Sequence, residues 1–160
     1  MAIQIGDKIP ACSTLRVMGE KGPQPVTTDD LFAGKKVVLF AVPGAFTPGC
    51  SNTHLPGFVV NADKIKAKGV ASIICVSVND AFVMGAWGKA QNAEHLIMLA
   101  DGSAELAKAT GMELDLTDKG MGVRWKRLAM IVDDGVVKNL AIEPPGGIVE
   151  SSAEAILKLL

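Results

Sequence analysis

Residues 35–50, KKVVLFAVPGAFTPGC, carry one cysteine from the end of an apolar strand to the start of a helix. Lys35 to Val42 is of strand length and ends in β-branched and apolar residues, and Pro43-Gly44 stops it. Thr47-Pro48 then reads as a helix start, with Thr47 as N-cap and Pro48 at the first helical position, where a missing N–H costs nothing. On that count Cys50 is the third helical residue. Its sulfur sits among unpaired backbone N–H groups at the positive end of the helix dipole, a setting that favours the thiolate. The Thr47 oxygen is expected to accept a bond from the Cys50 N–H and fix the loop.

The pattern outward from this stretch is an alternation. A helical segment runs from about Pro48 to Lys68 and stops at Gly69, and Val70 to Val78 is a second apolar strand. Strand, helix and strand within about 40 residues make a βαβ unit with a right-handed crossover. Helix 81–92, strand 96–100 and helix 103–110 follow. Two runs, 123–132 and 136–142, then flank Asp133-Asp134-Gly135, which signals a hairpin. Ser151-Ser152-Ala153-Glu154 opens a last helix with what reads as a capping box. The expected fold is α/β and thioredoxin-like: a mixed, mostly parallel sheet with helices on both faces and a C-terminal hairpin and helix. No repeat, linker or low-complexity tract divides the chain, so residues 1–160 are expected to form one domain.

Bulk properties narrow the function classes. Only 4% of the 160 residues are aromatic while mean hydropathy is positive, so the core is aliphatic, as buried parallel strands require. The net charge of −1, with both signs mixed along the chain, argues against nucleic acid as a partner. No basic-then-apolar stretch opens the sequence and no apolar run reaches the roughly 18 residues that span a bilayer. An odd cysteine count of three points to free thiols in a reducing compartment, and hence to a cytoplasmic protein.

With Pro43, Thr47 and Cys50 in place, PGAFTPGCSNTHLPGF resembles the peroxidatic motif of the peroxiredoxins, in particular the type II (peroxiredoxin-five-like) branch. The likeness continues through residues 69–89, 99–116 and 126–147 and so covers nearly the whole chain. It implies a thiol-dependent peroxidase reducing hydrogen peroxide and organic hydroperoxides on a thioredoxin-like fold, with no metal and no bound organic cofactor. By the same resemblance Cys50 is the nucleophile, the Thr47 hydroxyl binds the peroxide, and Pro43 walls the pocket against water. The Gly49 and Cys50 amides are oxygen-binding donors, as the helix start suggests independently. The family also supplies an arginine from a distant strand, and KRLAMIVD places Arg127 there. Period-two alternation puts Arg127 on one face with Trp125, Ala129 and Ile131, and Arg124 on the other with Lys126 and Leu128. Arg124 is thus a supporting candidate behind Arg127.

Sulfenic acid at Cys50 must be reduced by Cys75, Cys12 or an external thiol. Cys75 lies inside a strand, about 10 Å below the edge where Cys50 emerges, whereas a disulfide needs Cα atoms within about 7 Å. It is either a buried core thiol or a resolving cysteine reached by unwinding the Cys50 helix. Some members of the branch place a resolving cysteine near the C-terminus, and EPPGGIVESSAEAI has none. A one-cysteine cycle reduced by glutathione or glutaredoxin leads, with thioredoxin second. Cys12 offers no pattern. His54, at i+4 from Cys50, shares its helical face and is expected to shape the site, while a Cys-His hydrolase pair or a metal site lacks further supporting ligands. His95 reads as a surface residue. A homodimer is implied by resemblance, with Phe46, Phe82 and Trp87 as interface or core candidates. A peroxide-sensing regulator or chaperone on the same fold is the alternative function.

Overall fold

The computed structural model describes residues 2–160. Its main sheet has seven strands, β1 (Arg16–Gly19), β2 (Gly22–Pro25), β3 (Lys36–Ala41), β4 (Ser72–Ser77), β5 (Ile97–Ala100), β8 (Leu128–Asp133) and β9 (Val136–Ile142). They lie in the order β2-β1-β5-β4-β3-β8-β9, and β6 (Glu113–Leu116) with β7 (Gly122–Trp125) forms a separate two-stranded ribbon. Parallel pairing is confined to β3-β4 and β4-β5, and every other neighbour is antiparallel. The sheet is therefore mixed, and more antiparallel than the alternation alone suggests, because an N-terminal hairpin joins β5 and the 128–142 hairpin joins β3. That second hairpin turns through Asp134 and Gly135 at φ 48° and 78°, the left-handed pair that matches strand twist.

Strand β3 lies inside the sheet, between β4 and β8, and both its faces are apolar. Val38, Phe40 and Val42 pack into one core layer with Leu55, Phe58, Ile65, Met84, Trp87, Ile131 and Ile156, while Val37, Leu39 and Ala41 pack into the other with Phe32, Leu106, Trp125, Met130 and Val132. Each large side chain so buried contributes about 1.5–3 kcal/mol. Helices α2 (Leu55–Lys66), α3 (Ala81–Ala90) and α5 (Ala153–Leu159) cover the first face, and α1 (Thr28–Phe32) and α4 (Glu105–Ala109) the second. Gly69, at φ 93°, follows the end of α2, in keeping with the helix stop that the sequence predicts.

Three local expectations change. The run 123–132 is two strands broken at Lys126-Arg127, so alternation does not carry across: Ala129 and Ile131 share the Cys50 layer, but Trp125 faces the opposite one. Trp125 is drawn there by the buried Asp101, whose carboxylate accepts its Nε1–H at 3.0 Å. The cap of α5 is Ser152, which accepts from the Ala155 N–H, with no capping box from Ser151. Trp87 is fully buried and bonded to the Ser51 hydroxyl at 2.9 Å, so it is core, whereas Phe46 and Phe82 are exposed.

Candidate active site

The loop after β3 delivers Cys50 as the sequence suggests, with two refinements. Helical backbone begins at Pro48, making Cys50 the third helical residue. The next turn, Cys50–His54, is π-helical, closed by the Leu55 N–H donating to the Cys50 carbonyl. A π-turn adds one residue per turn and is frequent where a helix must aim a functional side chain. Ahead of it, Phe46 holds φ 63°, an uncommon backbone conformation for a bulky side chain and one tolerated where surrounding structure imposes it. The Thr47 hydroxyl does not accept from the Cys50 amide. It donates to the Gly44 carbonyl at 2.7 Å, so the loop closes on itself through a tight turn.

Cys50 is fully buried, yet it has a charged partner. Arg127, in the two-residue break before β8, donates from Nη2 to the Cys50 sulfur at 3.1 Å and from Nη1 to His54 Nδ1 at 2.9 Å. The opposite ring nitrogen, Nε2, lies 2.8 Å from the Ser151 carbonyl. A carbonyl only accepts and a guanidinium only donates, which assigns the proton to Nε2 and leaves Nδ1 bare. His54 is thus neutral. Burial, reinforced by the Arg127 charge against the pull of the Ser151 bond, pushes its pKa down to about 4. Phe40 and Phe58 pack on its ring at centroid distances of 5.0 and 5.6 Å.

Glycines make room for both arginines. A Cβ at Gly49 would stand 3.3 Å from Arg127 Nη2 and 3.2 Å from Ile148, and one at Gly44 would stand 2.9 Å from Arg124 Nη1. Arg124 holds the loop from behind, donating from Nε to the Met121 carbonyl at 2.8 Å and from Nη1 to the Pro43 carbonyl at 3.3 Å. It does not reach the sulfur. A cavity of about 500 Å³ opens beside the group, lined by Pro43, Gly49 and Arg127, by the apolar Leu114, Ile142 and Ile148, and by Lys126 at its charged side. Much of its wall is the loop 143–148, to which sequence reading gave no role; the Pro144-Pro145-Gly146-Gly147 turn marked a loop but not what it encloses.

The other cysteines stand apart. Cys75 lies opposite Phe40 in the β3-β4 register, fully buried, and burial first and the neighbouring Cys50 second push its thiol well up. Cys12 belongs to the core layer on the far side of the sheet, where burial and the acidic Glu105 and Asp101 raise its pKa to about 11. All three thiols are free. His95 is exposed. Among the described residues no three His, Cys, Asp or Glu side chains are grouped to hold a metal, and no helix is long and apolar enough to cross a membrane.

A buried cysteine at a helix start, bonded to a guanidinium that precedes the neighbouring strand of a thioredoxin-like sheet, is the arrangement of a thiol-based redox enzyme. The Redoxin family model matches residues 4–157. The chain is 48% identical over 160 residues to Peroxiredoxin-2D of Arabidopsis thaliana, covering 99% of this chain and 98% of that protein. It is 50% identical over 163 residues to the chloroplastic Peroxiredoxin-2E-2 of Oryza sativa subsp. japonica, covering 99% of this chain and 72% of the relative. A structure of reduced Prx3 from Vibrio vulnificus in complex with hydrogen peroxide superposes with a TM-score of 0.94 at 54% identity, covering 98% of each chain. The protein belongs to the peroxiredoxins and is a thiol-dependent peroxidase.

Proposed function

We propose that Cys50 is the peroxidatic nucleophile of a type II (peroxiredoxin-five-like) enzyme acting on hydrogen peroxide and organic hydroperoxides. The observation that carries this reading is the 3.1 Å bond to the Cys50 sulfur from Arg127, a residue that itself lines the neighbouring cavity. The thiolate sulfur attacks one peroxide oxygen as the O–O bond breaks. An S–O bond forms, sulfur is oxidised to the sulfenic acid, and the second oxygen leaves with the electron pair, taking a proton to become water or alcohol. Arg127 favours charge first on sulfur and then on the departing oxygen. The proton of the Thr47 hydroxyl is committed to Gly44, so this group presents lone pairs to the substrate and accepts the peroxide O–H. Gly49 and Cys50 amides offer donors from the helix start, and Pro43 and Ile148 limit water.

The sulfenic acid is reduced by an external thiol, glutathione or glutaredoxin ahead of thioredoxin. Support comes from the burial of Cys75 under the site and from the position of Cys12 across the sheet. A homodimer through the exposed Phe46 and Phe82 is part of the reading, as is a single domain in a reducing, cytoplasmic setting that keeps the three thiols free. Sedimentation of Phe46→Ala and Phe82→Ala tests the interface: both are expected to shift toward monomer. Thr47→Val tests the substrate contact. It should slow Cys50 oxidation roughly tenfold to hundredfold in stopped flow, the cost of one hydrogen bond of about 1.5–3 kcal/mol to a charged reacting group, while an unchanged rate would remove Thr47 from the reaction.

A further inference from the structure

Arg127, whose guanidinium lies on Cys50, is linked to one residue outside the motif twice, directly through its main chain and indirectly through the partner of its side chain. Glu143, just past the end of β9, is 9% exposed and donates its backbone N–H to the Arg127 carbonyl at 3.0 Å. A single side-chain oxygen, Oε2, collects the Val149 N–H at 2.6 Å, the Ser151 N–H at 2.8 Å and the Ser151 hydroxyl at 2.7 Å. Ser151, fully buried, presents its carbonyl to His54 Nε2, and His54 Nδ1 accepts from Arg127 Nη1. The bonds form a closed ring: Arg127 main chain, Glu143, Ser151, His54, Arg127 guanidinium.

We propose that Glu143 is a positioning residue for peroxide reduction, acting through Ser151 and His54 to fix where the Arg127 guanidinium points. The direction of each bond supports this order. Three donors converge on one oxygen, an arrangement that a proton-free carboxylate answers with short, charge-assisted bonds. Their convergence immobilises the Ser151 peptide. Its carbonyl then selects the Nε2–H form of His54, and that form alone leaves a lone pair on Nδ1 for a guanidinium proton. In the other tautomer an Nδ1–H would oppose the Nη1–H, and Arg127 would lose one of its two anchors. A guanidinium swung by about 1 Å from sulfur costs up to a hundredfold in a reaction that depends on its placement.

The inference rests on Cys50 being the nucleophile, and the experiment separates the two. Wild type, Glu143→Ala, Glu143→Gln and Ser151→Ala are reduced and oxidised with hydrogen peroxide and with cumene hydroperoxide in stopped flow, while nitrogen NMR reports the His54 tautomer. The expected order of rates is wild type, Ser151→Ala, Glu143→Gln, Glu143→Ala, the last slower by roughly tenfold to hundredfold with both substrates. The tautomer signal is expected to become mixed in step with the loss. Should Glu143→Ala not fold, Ser151→Ala and Glu143→Gln carry the test, since each removes part of the same bonding. A loss confined to cumene hydroperoxide would overturn the proposal by making Glu143 a cavity wall only. Wild-type rates in folded variants, or slower rates with His54 still wholly Nε2–H, would overturn it too. If instead the wild type shows no oxidation at Cys50, the failure is that of the nucleophile assignment.

Discussion

Cys50 and Cys75 make a controlled comparison inside one molecule. Both are fully buried, both belong to the same apolar core layer, and they sit on neighbouring elements of one βαβ unit. Cys50 lies at a helix start with an arginine N–H on its sulfur, whereas Cys75 lies mid-strand, opposite Phe40, with its thiol pushed well up by burial. Burial alone pushes the Cys75 thiol up, whereas Cys50 is buried with a preorganised cation on its sulfur, the setting that the proposed nucleophile needs. On the proposed reading, the chemistry resides in what Arg127, His54 and the π-turn do around one sulfur.

Breaking the reactive side of the comparison should give the largest effect. Cys50→Ser is expected to lower peroxidase turnover by more than about a thousandfold, as loss of a nucleophile does, with the fold intact by circular dichroism. Arg127→Gln keeps polarity but removes the charge and its forked donors. It should slow Cys50 oxidation by about a hundredfold to a thousandfold, as loss of a preorganised donor does; a near wild-type rate would leave burial as the only difference between the two thiols.

The neutral His54 sharpens the comparison through pH. Its ordinary value is 6.5 and its folded value about 4, so between those limits the unfolded chain binds the extra proton. Its contribution to stability is complete above pH 6.5 and falls as pH drops toward 4, by up to roughly 3 kcal/mol at about 1.36 kcal/mol per unit. Urea unfolding at pH 7.5, 5.5 and 4.5 should show a steeper decline for wild type than for His54→Asn; parallel declines would mean the ring is not held neutral. The smallest effect belongs to the inert side. Cys75→Ala should cost about 1–2 kcal/mol of stability, as small core truncations do, while glutaredoxin-supported turnover stays within about twofold. Total loss of turnover in that folded variant would make Cys75 a resolving partner.

Residues whose role follows from local pattern were legible in the sequence. Cys50 as third helical residue, the Gly69 stop and the Asp134-Gly135 hairpin are each dictated by two or three neighbours. Arg127 was legible only through family likeness, since the break at Lys126-Arg127 defeats the alternation that assigned Trp125 to its face. Trp125 follows Asp101 instead, a contact 24 residues distant. Glu143 and Ser151 left no readable mark. A glutamate before Pro-Pro-Gly-Gly looks like a solvated loop charge, and its three donors come from a turn whose closure depends on tertiary packing. The Ser151-to-Glu154 pattern reads as a capping box, yet the cap is one residue later, at Ser152, and Ser151 bonds Glu143 instead.

The most direct test of the central claim is to treat the reduced protein with one equivalent of hydrogen peroxide, trap sulfenic acid with dimedone and locate the adduct by peptide mass spectrometry. The adduct is expected on Cys50 alone, formed in wild type and Cys75→Ala alike and strongly diminished in Arg127→Gln. An adduct on Cys12 or Cys75, or none on Cys50 in a preparation that still consumes peroxide, would contradict the account.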